Sequence, residues 1–128
     1  MIKIARIIIV DDEKDIVRLF EEVLNWEGHQ IIAKASNGEE AIEAFKSAVN
    51  PPDIILMDHR MPIKDGLSAT EEILSANKNV KIVFVSADFT AREKALKIGA
   101  TLFLEKPIDF SKLLEAIRKC TASFIQTT

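Results

Sequence analysis

The sequence predicts an α/β domain in which short parallel strands alternate with amphipathic helices. Three observations carry this. Five short apolar runs, rich in β-branched residues, recur along the 128-residue chain. Between them, apolar residues return at helical spacing. The middle run, Ile54-Ile55-Leu56-Met57, is continuous, as strands buried on both faces read. Such alternation gives a parallel sheet with helices on its faces, joined by right-handed crossovers. Nothing resembles a linker or a repeat. Residues 1–128 are therefore read as one domain, with its core over about 5–120 and a short C-terminal tail from Thr121.

Each element follows in order. The first strand is Ala5–Val10, ended by Asp11-Asp12-Glu13. Ile16, Phe20, Val23 and Leu24 then share one helical face, and Gly28 stands where a C-terminal cap is expected. Gln30–Ala35 is the second strand. Asn37-Gly38 opens a helix with the stripe Ile42, Phe45 and Val49, stopped by Pro51-Pro52. Asp53–Met57 is the third strand. A loop with Pro62 and Asp65-Gly66 leads into a helix carrying Leu67, Thr70, Ile73 and Leu74. Lys81–Val85 is the fourth strand, and Thr90–Ile98 a shorter, more polar helix closed by Gly99. Thr101–Leu104 is the fifth strand, broken by Lys106-Pro107. Asp109 or Ser111 caps the last helix, with Phe110, Leu113, Leu114 and Ile117 inward. Trp26 and Cys120 are expected to pack at helix ends.

Composition narrows the function. A net charge of −3 and a pI near 5.4 argue against attraction to nucleic acid or anionic lipid. The single cysteine excludes an internal disulfide, and two histidines leave a zinc cluster out of reach. The apolar run from Ile7 ends at Val10 against three acids, too short for a signal-peptide core of about 7–15 residues. No membrane segment is read, and the cytoplasm is the expected compartment.

In an open parallel sheet, ligands bind at the carboxyl ends of the strands. Four of these ends carry chemistry: Asp11-Asp12-Glu13, Asp58-His59-Arg60, Ser86-Ala87-Asp88 and Glu105-Lys106-Pro107. Taken singly, each is an ordinary solvated loop; their joint placement on one rim is not. Asp11, Asp12 and Asp58 on neighbouring strand ends repel one another unless balanced. A hard divalent cation such as Mg²⁺ suits all-oxygen ligation, and Lys106 supplies a fixed positive charge. Metal, lysine, hydroxyl and a free carboxylate together make a phosphoryl-transfer inventory. Asp58, at the end of the most apolar strand, is the natural nucleophile, with Asp11 and Asp12 serving the metal. Glu13 reads as a helix-dipole residue, and His59 as a solvent or rim residue. Arg60 and Asp88, each two residues beyond Asp58 and Ser86, are expected to rim one opening as an ion pair. A tight turn that swings Lys106 over the site calls for a cis Lys106–Pro107 bond, which X–Pro accommodates at about 0.5–1 kcal/mol.

Asp11-Asp12-Glu13, Met57-Asp58 with Met61-Pro62 and Asp65-Gly66, Ser86-Ala87, Gly99-Ala100 and Lys106-Pro107 together resemble the response-regulator receiver domains of two-component and chemotaxis signalling. The resemblance runs from Ile7 to about Ile117. It implies a flavodoxin-like (βα)5 doubly wound sheet with strand order 2-1-3-4-5. It implies that Asp58 accepts a phosphoryl group from a histidine kinase or phosphotransfer protein. Asp12 would then bind Mg²⁺ directly and Asp11 through water, with the Arg60 backbone carbonyl completing the set. Lys106 would pair with the phosphoryl group and Ser86 hydrogen-bond it, while Phe103 follows Ser86 as a switch. A downstream protein would read the fourth helix, fifth strand and fifth helix, with the chain a monomer or a phosphorylation-linked dimer. Phe103 lacks the hydroxyl that a tyrosine would offer there.

Other functions fit less well. A flavodoxin-type redox protein needs a Ser/Thr/Gly phosphate loop where Asp11-Asp12-Glu13 would repel FMN. A haloacid-dehalogenase-type phosphatase needs a second acid where Arg60 stands. A degenerate receiver acting only as a binding module would lack Lys106, Ser86 or one acid, and all are present.

Overall fold

The computed structural model describes residues 3–126, with side chains to Ala122. Five parallel strands form one sheet: β1 (Arg6–Val10), β2 (Gln30–Ala35), β3 (Ile54–Met57), β4 (Lys81–Ser86) and β5 (Leu102–Glu105), in the order β2-β1-β3-β4-β5. The helices are α1 (Lys14–Trp26), α2 (Gly38–Ser47), α3 (Gly66–Ala76), α4 (Arg92–Ile98) and α5 (Phe110–Gln126), with a 3-10 turn over Phe89–Ala91 before α4. The flavodoxin-like doubly wound fold expected from the resemblance is the one observed.

Period-two alternation divides the strands between two cores. Ile8, Val10, Ile55, Met57, Ile82 and Phe84 face one layer with Ala41 and Ile42 of α2, Ala69 and Ile73 of α3 and Ala95 of α4. Ile7, Ile9, Ile54, Leu56, Val83 and Val85 face the other, with Phe20 and Leu24 of α1 and Leu113, Ala116, Ile117 and Cys120 of α5. Both faces of the inner strands are thus covered. That is why their sequences read as unbroken apolar runs. Among the described residues, no helix is long and apolar enough to cross a membrane.

Several expectations need correction. Val49 lies beyond α2 and is 96% exposed. The chain turns extended at Ala48 as it approaches Pro51-Pro52, so the helical stripe ends before reaching Val49. Phe110 is the first residue of α5 and half exposed, ahead of the turn where Leu113 enters the core. Trp26 is 92% exposed, because two residues past buried Leu24 is about 200° around a helix. Residues 121–126, read as a tail, continue α5; Thr127 and Thr128 lie outside the described residues. Strand five is displaced by one residue, and Thr90 lies in the 3-10 turn rather than α4.

Candidate functional site

Backbone pairing that continues past the strands fixes the rim. The Asp11 amide donates to the Ala35 carbonyl and the Asp58 amide to the Val10 carbonyl, both at 3.0 Å. The Lys106 amide donates to the Ser86 carbonyl at 2.9 Å. The sheet therefore delivers Asp11, Asp58, Ser86 and Lys106 to one edge in register, at the point where chain order reverses around β1 and β3.

The side chains converge there. Asp11, Asp12 and Asp58 each offer a carboxylate oxygen, and the three lie within 4.8 Å of one another. Lys106 Nζ stands 2.8 Å from Asp11 Oδ2 and 3.5 Å from both Asp58 Oδ2 and Glu13 Oε1. Glu13, read from the sequence as a helix-dipole residue, is the N-cap residue of α1 and also reaches Lys106 from its exposed position. Asp58 Oδ1 accepts from the His59 amide at 2.8 Å, and Asp11 Oδ1 from the Glu13 amide at 2.9 Å. Asp12 is exposed and has no ion pair among the described residues.

One ammonium facing three carboxylates leaves the site short of positive charge. Burial raises the Asp58 carboxyl above the ordinary value of 3.8, and repulsion from Asp11 adds to it; Lys106, the His59 amide and Ser86 oppose this without cancelling it. Burial also raises Asp11, against the hydrogen bonds from Lys106 and Glu13. For Lys106, burial alone would favour loss of the proton, but Asp11, Asp58 and Glu13 outweigh it and raise the ammonium further. An all-oxygen donor set with unbalanced negative charge fits a hard divalent cation.

The walls come from loops held close. A Cβ on Gly66 would stand 2.0 Å from the Asp58 carbonyl oxygen, so only glycine lets α3 start against β3. Gly66 also donates its amide to the His59 carbonyl at 2.9 Å. His59 is half-buried, and its Nδ1 accepts from the Leu67 amide at 3.4 Å, turning to the first turn of α3 rather than out to solvent. Between Met61 and Asp65 the chain makes a tight turn, with the Lys64 amide on the Pro62 carbonyl at 2.7 Å and Ile63 at φ 71°. The Lys106–Pro107 peptide is cis. On the outer rim, Arg60 Nε meets Asp88 Oδ2 at 2.9 Å. The Ser86 hydroxyl oxygen accepts from the Asp88 amide at 3.1 Å.

Residues 7–118 match the sequence pattern of the response regulator receiver domain. The chain belongs to that family. It is 35% identical over 114 residues to the chemotaxis protein CheY of Treponema pallidum, a match covering 88% of this chain and 79% of that protein. CheY of Borrelia burgdorferi, solved with CheX, BeF3 and Mg²⁺, superimposes with a TM-score of 0.84 at 30% identity, covering 93% of this chain and 88% of that one. The response regulator TrrA of Thermotoga maritima, solved with Mg²⁺ and BeF, gives a TM-score of 0.79 at 34% identity, covering 90% and 97%. This receiver domain is a signalling module of the two-component type, with an acidic cluster at its strand ends.

Proposed function

We propose that this receiver accepts a phosphoryl group on Asp58 from the phosphohistidine of a histidine kinase or phosphotransfer protein. The observation that carries the reading is one buried carboxylate, Asp58, facing both a lysine ammonium at 3.5 Å and the two acids Asp11 and Asp12. A carboxylate oxygen of Asp58 bonds to phosphorus as the phosphorus–nitrogen bond breaks, and the electron pair stays on the imidazole nitrogen of the donor. Lys106 balances charge on the phosphoryl oxygens, and the Ser86 hydroxyl donates to one of them. Both Asp11 oxygens are already engaged, by Lys106 and by the Glu13 amide, whereas Asp12 has no ion pair among the described residues. Asp12 would therefore hold Mg²⁺ directly and Asp11 through water, with Asp58 and the Arg60 carbonyl as the other protein groups. When bound, the ion neutralises the developing phosphoryl charge.

Incubation with acetyl phosphate and Mg²⁺ adds one phosphoryl group by mass, and Asp58→Asn abolishes it. Equal labelling of the variant would end this reading. Calorimetric titration of Asp12→Ala with Mg²⁺ shows the affinity largely lost.

Phosphorylation then draws Ser86 inward and biases the chain between two states. The surface that changes is α4, β5 and α5, including Phe103, Arg92, Lys97 and Lys119, which a downstream protein reads. Chemical-shift changes on adding a phosphoryl mimic cluster there; changes confined to α1 and α2 would contradict it.

A further inference from the structure

Three phenylalanine rings form a file from the core to the surface beside this switch. Phe84 is fully buried in β4, two residues before Ser86. Phe103, its partner across the β4–β5 ladder, stacks on it with ring centroids 6.0 Å apart and planes 15° apart. Phe89 closes the file edge-to-face on Phe103, at 6.4 Å and 81°, and is itself 57% exposed. Centroid distances of this size with offset or edge geometry are those of attractive aromatic pairs.

The outer ring occupies a mechanically important place. Phe89 lies three residues beyond Ser86 and opens the 3-10 turn that Asp88 caps through the Thr90 amide at 3.1 Å. That turn leads directly into α4, which has seven residues and buries only Ala95 among them. A helix this short, with Ala95 buried and Leu96 partly buried on the core, is weakly held by its own packing. Ala91 and the Phe89 ring supply much of the attachment at its leading end.

We infer that Phe89 is a positioning residue of the switch: its ring clamps the head of α4 to Phe103, so that displacement of the Ser86–Asp88 segment moves α4 and Phe103 as one body. The inference rests on the proposed role of Asp58 and Ser86, and it adds the element that carries their movement outward. Phe103, held on β5, meets α4 along the chain only at its trailing end, through Gly99–Thr101, whereas Phe89 adjoins the leading end.

Two measurements on the full chain test it. In the metal-free protein, hydrogen exchange of the α4 amides rises about three- to tenfold in Phe89→Ala, the range an aromatic pair supports, while α3 amides keep their rates. With BeF3⁻ and Mg²⁺ as the probe, amides of Asp58, Ser86 and Lys106 shift in Phe89→Ala as in wild type, but the shifts over Arg92–Ile98 and at Phe103 fall by at least half. Phe89→Tyr restores both. Phe89→Leu carries the same comparison if the alanine variant does not fold. Unchanged α4 exchange, or full α4 shifts in Phe89→Ala, overturns the inference. A wild type whose Asp58, Ser86 and Lys106 amides ignore the probe instead sinks the phosphoacceptor reading, and the exchange comparison alone then decides whether Phe89 clamps α4.

Discussion

Arg60 Nε donates to Asp88 Oδ2 at 2.9 Å, tying the loop after β3 to the loop after β4 across the mouth of the site. The two ends differ in setting. The Arg60 side chain is 77% exposed and that of Asp88 only 10%, with Thr90 donating to its other oxygen. Attack on an aspartyl phosphate needs a water in line with the bond being broken, and a strap over that approach removes near-attack geometry. Arg60→Ala and Asp88→Ala should each dephosphorylate about two- to fivefold faster, a modest effect of the size an exposed pair supports. The double variant should be no faster than the quicker single one. Dephosphorylation rates of the four proteins at low and high salt check this; additive effects without salt dependence would show two independent side chains.

The crowding of acids at Asp58 also bears on stability. Its folded-state pKa is raised, by burial first and then by Asp11, so the folded chain holds this proton to higher pH than the unfolded chain does. Its contribution is therefore favourable near the unfolded value of 3.8 and declines as pH rises through the folded value. At pH 7 without metal, Asp58→Asn should melt a few degrees higher than wild type, with the gain shrinking as pH falls. Mg²⁺ should narrow it from the other side by stabilising wild type more than the variant. Calorimetric scans with and without Mg²⁺ decide; a variant that melts lower at pH 7 would mean that Lys106 fully compensates the site.

Much of this was legible in the sequence because apolar pattern and strand ends carry it. Gln30–Ala35 matches β2 residue for residue, and Asp11, Asp58, Ser86 and Lys106 stand on one rim because parallel strands place their carboxyl ends together. Periodicity misled where an element ended sooner than its pattern did. Val49 continues the α2 stripe in sequence but not in space, and Phe110 begins α5 before the helix reaches the core. Other contacts have no local signature. Glu13 meets Lys106 across 93 positions of chain, and His29 faces Ala5 because β1 and β2 lie side by side.

Gly66 offers a purely steric test. A Cβ there would sit 2.0 Å from the carbonyl oxygen of Asp58, which is backbone and cannot yield as a flexible side chain would. Gly66→Ala must push α3 away from β3 or twist the Asp58–His59 peptide. Destabilisation of about 2 kcal/mol or more is expected, at the upper end of overpacking effects. Urea unfolding measures it, and acetyl-phosphate labelling of the folded fraction should fall as well. A loss below about 0.5 kcal/mol, the range of innocuous surface changes, would mean that the loop has slack.

His29 supplies a pH signature remote from the site. It is buried, and its Nδ1 accepts the Ala5 amide at 3.0 Å, so the ring is neutral with its proton on Nε2. Burial lowers its pKa from the ordinary 6.5, against the opposing charge of Glu27. Between the folded value and 6.5 the unfolded chain thus binds more protons than the folded one. Stability from this residue is complete above 6.5 and is lost as pH falls through that value toward the folded one, below which the slope levels. Asn at this position can keep an oxygen on the Ala5 amide without titrating. The difference in urea midpoint between wild type and His29→Asn should therefore change between pH 7.5 and pH 5.5, with wild type losing more. Taking the difference removes what the two proteins share, including Asp11 and Asp58, whose raised values act with the opposite sign. Parallel curves for the two proteins across that window would show that the imidazole can accept a proton in place, and that the Ala5 contact is not what holds it neutral.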